Sequence, residues 1–136
     1  MKVVFDTNIL VSAVLWRGTP YRCLLTVQAG LAELIVSPSI LKEFHRVLVA
    51  KFVFAEADAA EAVALVQNMA VSIEGPGTLR AVADDPEDDK FIEVAQLAGA
   101  PYLVSGDKHL LRLASYGNVQ IVRARAFLDI LTRQES

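Results

Sequence analysis

A chain of 136 residues, 54 % of them apolar, has room and material for one well-supplied core and not for two, so a single domain over 1–136 is expected. The one cysteine, Cys23, excludes an intramolecular disulfide and stands at no ligand-like spacing to another cysteine or histidine, which leaves it as a small buried hydrophobe of a reducing compartment. A formal net charge of −3 tells against a uniformly basic polyanion binder. Setting aside Asp6, Glu43, Asp84, Asp85, Glu87, Asp88, Asp89 and Asp107, however, leaves 8 acids against 13 Lys and Arg.

The opening, MKVVFDTNILVSAVLW, has the outline of a signal peptide, with Lys2 before an apolar stretch. Asp6 and Asn8 interrupt what would be its core, and no window is long and apolar enough to span a bilayer. A cytoplasmic protein with no membrane partner is the expectation. Val3-Val4-Phe5 is a short, continuously apolar run, as in a strand covered on both faces of a parallel sheet. Similar runs follow at Leu34-Ile35-Val36, Val71-Ser72-Ile73, Tyr102-Leu103-Val104 and Val119-Gln120-Ile121-Val122. Between them, Ser37-Pro38 reads as an N-cap followed by proline at the first helical position, and Ile40, Phe44, Val47 and Leu48 recur at helical spacing. Glu56 to Ala70 is a second helical pattern, and Asp85-Pro86-Glu87-Asp88 opens a third, which carries Phe91, Val94, Ala95 and Ala98 and ends at Gly99. A last helix is expected over about Ala124 to Thr132. Strands alternating with helices predict an α/β fold of three layers, with roughly five parallel strands flanked by helices.

The chemistry lies in the acids. Asp6 ends the first strand and Asp107, in Ser105-Gly106-Asp107, follows another, and ligands of open α/β sheets bind at the carboxyl ends of strands. Each aspartate reads equally as a helix N-cap. The run from Asp84 to Asp89 holds five carboxylates in six positions, more than capping uses. Asp88 is in phase with Phe91 and Ala95 and projects with the buried stripe, whereas Asp89 is in phase with Glu93 and Gln96 on the polar side. Glu43 flanks the apolar stripe of its helix and reads either as a site residue or as an exposed acid paired with Lys42, Arg46 or Lys51. Four acids from four segments meeting in one cleft form an all-oxygen set that suits Mg²⁺ or Mn²⁺ rather than zinc. Such a metal activates water for attack on phosphorus. His45 and His109 have no evident acid/base partner in the sequence and read as structural or surface residues.

These residues resemble a known family. Met1 to Ala13, with a strand followed by Asp6-Thr7-Asn8, is similar to the opening of PIN-domain proteins. Ser37 to Glu43 resembles the segment carrying that family's glutamate, and Asp84 to Phe91 and Val104 to Asp107 resemble its third and fourth acidic positions. The likeness runs nearly end to end and is greatest to the branch of toxin components of bacterial toxin/antitoxin pairs. It implies a PIN-like fold with five parallel strands, a divalent metal (Mg²⁺ or Mn²⁺) and RNA cleavage. Asp6, Glu43, Asp88 and Asp107 are the implied catalytic acids, with Asp6, Asp88 and Asp107 on the metal. Thr7, Asn8 and Ser105 would orient ligands or phosphate. Asp89 stands as the alternative third acid, although spacing to Gly99 favours Asp88. Trp16, Arg17, Arg22 and Lys108 are further candidates for RNA contact, Trp16 reading more readily as a core or interface residue. An antitoxin partner and a homodimer are implied by the resemblance alone.

Other classes fit less well. A response-regulator receiver needs a phosphoacceptor Asp after its third strand, where Val71-Ser72-Ile73-Glu74 has none, and a haloacid-dehalogenase phosphatase needs a second Asp where Asn8 stands. A PIN fold kept only to bind RNA or a partner, without catalysis, is the remaining alternative.

Overall fold

The computed structural model describes residues 1–82 and 86–135. Strand β1 (Lys2–Phe5) buries Val3, Val4 and Phe5 completely, as two-sided cover of a central strand requires. Helix α1 (Thr7–Leu15) follows at once, and α2 (Thr19–Gln28) leads to β2 (Glu33–Val36). Helices α3 (Pro38–Phe52) and α4 (Glu56–Met69) form a hairpin before β3 (Ala70–Ser72). A 3₁₀ turn (Pro86–Asp88) opens α5 (Asp89–Ala98), which is followed by β4 (Tyr102–Val104) and α6 (Lys108–Leu113). The chain ends with β5 (Ser115–Tyr116), β6 (Val119–Val122) and α7 (Ala124–Glu135).

The strand order is β3-β2-β1-β4-β6-β5. Neighbours pair in parallel except β5, which runs antiparallel to β6. The sheet thus has six strands where five were expected. The extra one is two residues long and carries no apolar run, so periodicity gives no signal for it. The strand at Val71 to Ile73 is real but shifted to Ala70–Ser72, and as an edge strand it leaves Val71 exposed instead of covered on both faces. Helix α2 was not foreseen. Its N-cap is Gly18, which offers no side-chain bond, and only Cys23, Leu24 and Val27 are buried, a stripe too narrow to stand out. Ser37 caps α3 as expected, accepting from the Ile40 N–H at 3.1 Å with Pro38 in the first turn. Asp85 as the cap of the third helix lies outside the described residues.

Helices flank the sheet and share one core with it. Phe5 meets Phe127 of α7 edge to face at 6.1 Å, and α5 packs against β1, β2 and β4. Cys23 is buried, and that burial pushes its thiol up to about 12, so it is inert. Among the described residues no helix is long and apolar enough to cross a membrane. The order in which strands are added reverses beside β1, with β2 laid on one side and β4 on the other, so β1 and β4 flank the topological switch point where an open sheet forms its ligand crevice.

Candidate active site

Asp6 is the first residue after β1 and Ser105-Gly106-Asp107 are the first after β4, so parallel pairing delivers both segments to the switch point. Asp6 is 3 % exposed. Its Oδ1 accepts the Ile9 N–H at 2.8 Å, and its Oδ2 accepts the Ser105 hydroxyl. Ser105 is fully buried, and its Oγ accepts the Asp107 N–H at 2.9 Å, so one hydroxyl ties the two strand ends together. Asp107 caps α6, with Oδ2 accepting from His109 N at 2.9 Å and Leu110 N at 3.0 Å. Both aspartates are therefore helix caps and cleft residues at once, because a cap stands where a helix leaves a strand end and the crevice opens at that same edge.

Glu43, on α3, is half-buried. Thr7 donates its hydroxyl to Oε1, and Lys90 of α5 makes an ion pair with Oε2. The direct bond thus comes from none of Lys42, Arg46 and Lys51 but from a residue 47 positions away, with the Arg46 charge acting on Glu43 without a bond. Asp6, Thr7, Asn8, Glu43, Asp88 and Asp107 all line one cleft of about 180 Å³ with a largely polar wall, and Phe91 stands beside Asp88 there as its helical phase predicts. Arg46 and Lys51, passed over as site residues in the sequence, line the same cleft one and two turns along α3 from Glu43.

Asp89 does not join this cleft. It was expected on the polar side with Glu93 and Gln96, yet Asp89 and Glu93 are 5 % and 8 % exposed. Asp89 Oδ1 accepts from Ala81 N at 2.9 Å and Val82 N at 2.7 Å. Glu93 accepts from the N–H groups of Gly77, Thr78 and Leu79 at 2.9–3.1 Å. The segment from Gly77 to Val82 lies over this face of α5 and needs acceptors for its buried N–H groups, so the helix is covered on two sides. An i, i+4 acid pair on an otherwise amphipathic helix is the signal that could have revealed this. Asp84, in the segment likened to the family's third acidic position, lies outside the described residues.

The remaining candidates are dispersed. Trp16 ends α1 with 64 % of its surface exposed and is not a core residue. Arg17 stacks over Tyr21 at 5.3 Å, and neither it nor Arg22 or Lys108 lines the acidic cleft. His45 has a partner after all, Glu56 of α4, at 3.0 Å.

Burial pushes the Asp6 carboxyl up to about 6; the bonds from Ser105 and Ile9 oppose this, and the charges of Asp107 and Glu43 add to it. Burial acts in the same direction on Glu43, but there the bonds from Lys90 and Thr7, with the charges of Lys90 and Arg46, prevail and hold it below its usual value. One acid of the cleft is thus satisfied by a cation of the protein, and another lacks one.

That shortfall is the test of fit for a metal. The donors are all oxygen, Asp6 has no counter-charge among the described residues, and Asp107 receives both of its N–H bonds on Oδ2, so the set suits a hard divalent cation. Among the described residues no three His, Cys, Asp or Glu side chains close into a metal cage. Mg²⁺ seldom asks for one, since one or two carboxylates, waters and substrate phosphate complete its shell. No match was found among curated proteins. The model of a family described as PIN domain matches residues 2–109, well over half of the chain, with Asp6, Glu43, Asp88 and Asp107 inside the matched span, and the chain belongs to the PIN domain family.

Proposed function

We propose that this chain is a divalent-metal-dependent endoribonuclease that hydrolyses RNA phosphodiester bonds at the cleft between β1 and β4. Membership of a family of nucleases supports the reaction class. The observation that carries the finer reading is the buried, under-compensated Asp6 facing Asp107 and Asp88 across one polar cleft. Asp6, Asp88 and Asp107 would hold the cation, Mg²⁺ or Mn²⁺. When bound, it supplies Lewis acidity toward the phosphodiester and acidifies the attacking water.

The chain's own residues do the rest. Ser105 fixes the Asp6 carboxylate by donating to Oδ2, and the Ile9 N–H holds the other oxygen, so the ligand is oriented before substrate arrives. Glu43, kept ionised by Lys90 and Thr7, stands at the cleft wall as a fixed negative charge that holds Thr7 and Lys90 in place beside the aspartates. Asn8 offers an exposed amide at the mouth for a phosphate oxygen. The likeness to toxin components extends the proposal to a cytoplasmic toxin held in check by an antitoxin and working as a homodimer; a neighbouring gene for a short protein with a DNA-binding N-terminus and a disordered tail would support it.

The direct test is incubation with single-stranded or looped RNA, with Mg²⁺ or Mn²⁺ and with excess EDTA. Cleavage that stops in EDTA and leaves 5′-phosphate ends is expected. Undiminished cleavage in chelator, or 2′,3′-cyclic phosphate ends found by mass spectrometry, would overturn the mechanism.

A further inference from the structure

Beside the acidic cleft lies a second, larger one of about 390 Å³, walled by α3, α5 and the segment around Arg80. The two adjoin, with Glu43, Arg46 and Glu87 lining both. Lys42 and Arg46 sit one turn apart on the same face of α3 and both reach the larger cleft. Arg80 enters it from the opposite wall. The ion pairs formed among the described residues take up none of these three cations.

Four acids line the same cleft; Glu87 stands at the end it shares with the acidic one, and the other three are committed elsewhere. Glu43 is bound to Lys90 and Thr7. Asp89 and Glu93 are sunk beneath the surface and turned onto backbone, accepting N–H groups from Gly77, Thr78, Leu79, Ala81 and Val82. Those bonds have a second effect: they fasten the loop on both sides of Arg80, whose side chain, among the described residues, bonds through Nη1 to the carbonyls of Gly77 and Leu79. An exposed guanidinium on a pinned loop loses little backbone freedom when it meets an anion, and it offers more than one N–H for phosphate.

We propose that this cleft docks the stretch of single-stranded RNA next to the scissile phosphate, with Arg80, Lys42 and Arg46 taking its backbone phosphates. The inference rests on the ribonuclease reading above, because the shared wall with the acidic cleft is what makes the anion the next part of one strand. The volume is on the scale of a small-ligand pocket, enough for a nucleotide unit and not for a duplex.

The test uses the full chain in EDTA, with a fluorescein-labelled single-stranded RNA of about 12 nucleotides, and reads anisotropy across a KCl series. Arg80→Ala is expected to weaken binding about fivefold and to lower the slope of log affinity against log salt by roughly 0.7, the release of one phosphate contact; Lys42→Ala combined with it should weaken binding about 25-fold and lower the slope by roughly 1.4. Arg133→Ala, at the far end of α7, is the control and should bind as the parent does. Unchanged affinity and slope in both cleft variants, or a parent that does not bind the probe, overturns the docking site. The two readings fail separately: a parent that cleaves RNA while Arg80→Ala binds normally loses only the docking site. A parent whose binding depends on Arg80 but that never cleaves with Mg²⁺ or Mn²⁺ loses only the catalytic assignment.

Discussion

Asp6 stands in a position where charge and burial are at odds. Its carboxyl titrates near 3.8 when unfolded and at about 6 when native, so between those values the folded state holds a proton that the unfolded state has lost. Stability of the metal-free protein therefore falls as pH rises through that window, and the cost is fully present above about 6. Asp6→Asn removes the penalty while keeping an acceptor for the Ile9 N–H. The variant is expected to be inactive, to be more stable at pH 7 by roughly 1–3 kcal/mol, and to show a flatter stability profile between pH 4 and 6. Denaturant melts in EDTA across that range check it. If Asp6 were only a helix cap, Asn would serve equally and the two proteins would melt and cleave alike. The neighbouring acids at 88 and 89 separate in the same way. Asp88→Asn should lower kcat by about 100-fold or more with melting little changed. Asp89→Ala should cost about 2 kcal/mol by orphaning the N–H groups of Ala81 and Val82, yet retain measurable cleavage. The opposite pattern, with activity lost at 89 and stability lost at 88, would place the wrong residue in the acidic cleft.

At the scale of elements, α5 couples two tasks. Its inner face presents Phe91, Ile92 and Ala95 to the core, and the face bearing Asp89 and Glu93 anchors the segment above it. Glu93→Ala should speed hydrogen exchange at Gly77, Thr78 and Leu79 selectively and cost about 1–2 kcal/mol globally. A side chain on Gly75 would collide with Glu93 Oε1, so Gly75→Ala should produce the same local exchange pattern although it removes no bond directly. Protection unchanged in both variants would mean that the loop is held by something other than this carboxylate. Helix α3 ends on Val53 with φ of +57°, a left-handed conformation that a β-branched residue adopts only under strain, and that side chain is 87 % exposed. Val53→Gly should stabilise the protein by about 0.5–1 kcal/mol, the relief of strain exceeding the added entropy of the unfolded chain. A lower melting temperature would show that Val53 contributes packing its exposure does not suggest.

For the molecule as a whole, the proposed metal site would link cation binding to folding. Each cation that binds only the native state stabilises it by mass action, about 2.7 kcal/mol at a hundredfold excess over Kd. Thermal melts should therefore rise with Mg²⁺ in the parent, return to baseline on adding EDTA, and respond much less in Asp6→Asn. Equal shifts in both proteins would assign the metal to another site. The overall −3 charge is no obstacle to the proposed RNA cleavage at this scale, since acids gather in the crevice while Lys42, Arg46 and Arg80 line the cleft beside it.

Periodicity and capping chemistry, both local, were enough to read four of the five parallel strands in place, the start of α3 and the end of α5 from the chain alone. Apolar runs such as Val3-Val4-Phe5 are buried on both faces wherever they sit centrally, and Ser37-Pro38 and Gly99 act on backbone groups within a turn of themselves. The gathering of Asp6, Glu43, Asp88 and Asp107 at one edge was also legible, because parallel strands connected by helices bring all their carboxyl ends to one side. What sequence spacing could not decide was which partner each acid met. Lys90 reaches Glu43 from a helix 47 residues away, and Asp89 and Glu93 turn inward because a loop with no periodic signal of its own lies over them. Those pairings depend on how α3, α5 and the Gly77–Val82 segment are stacked in space, and no interval along the chain encodes that stacking.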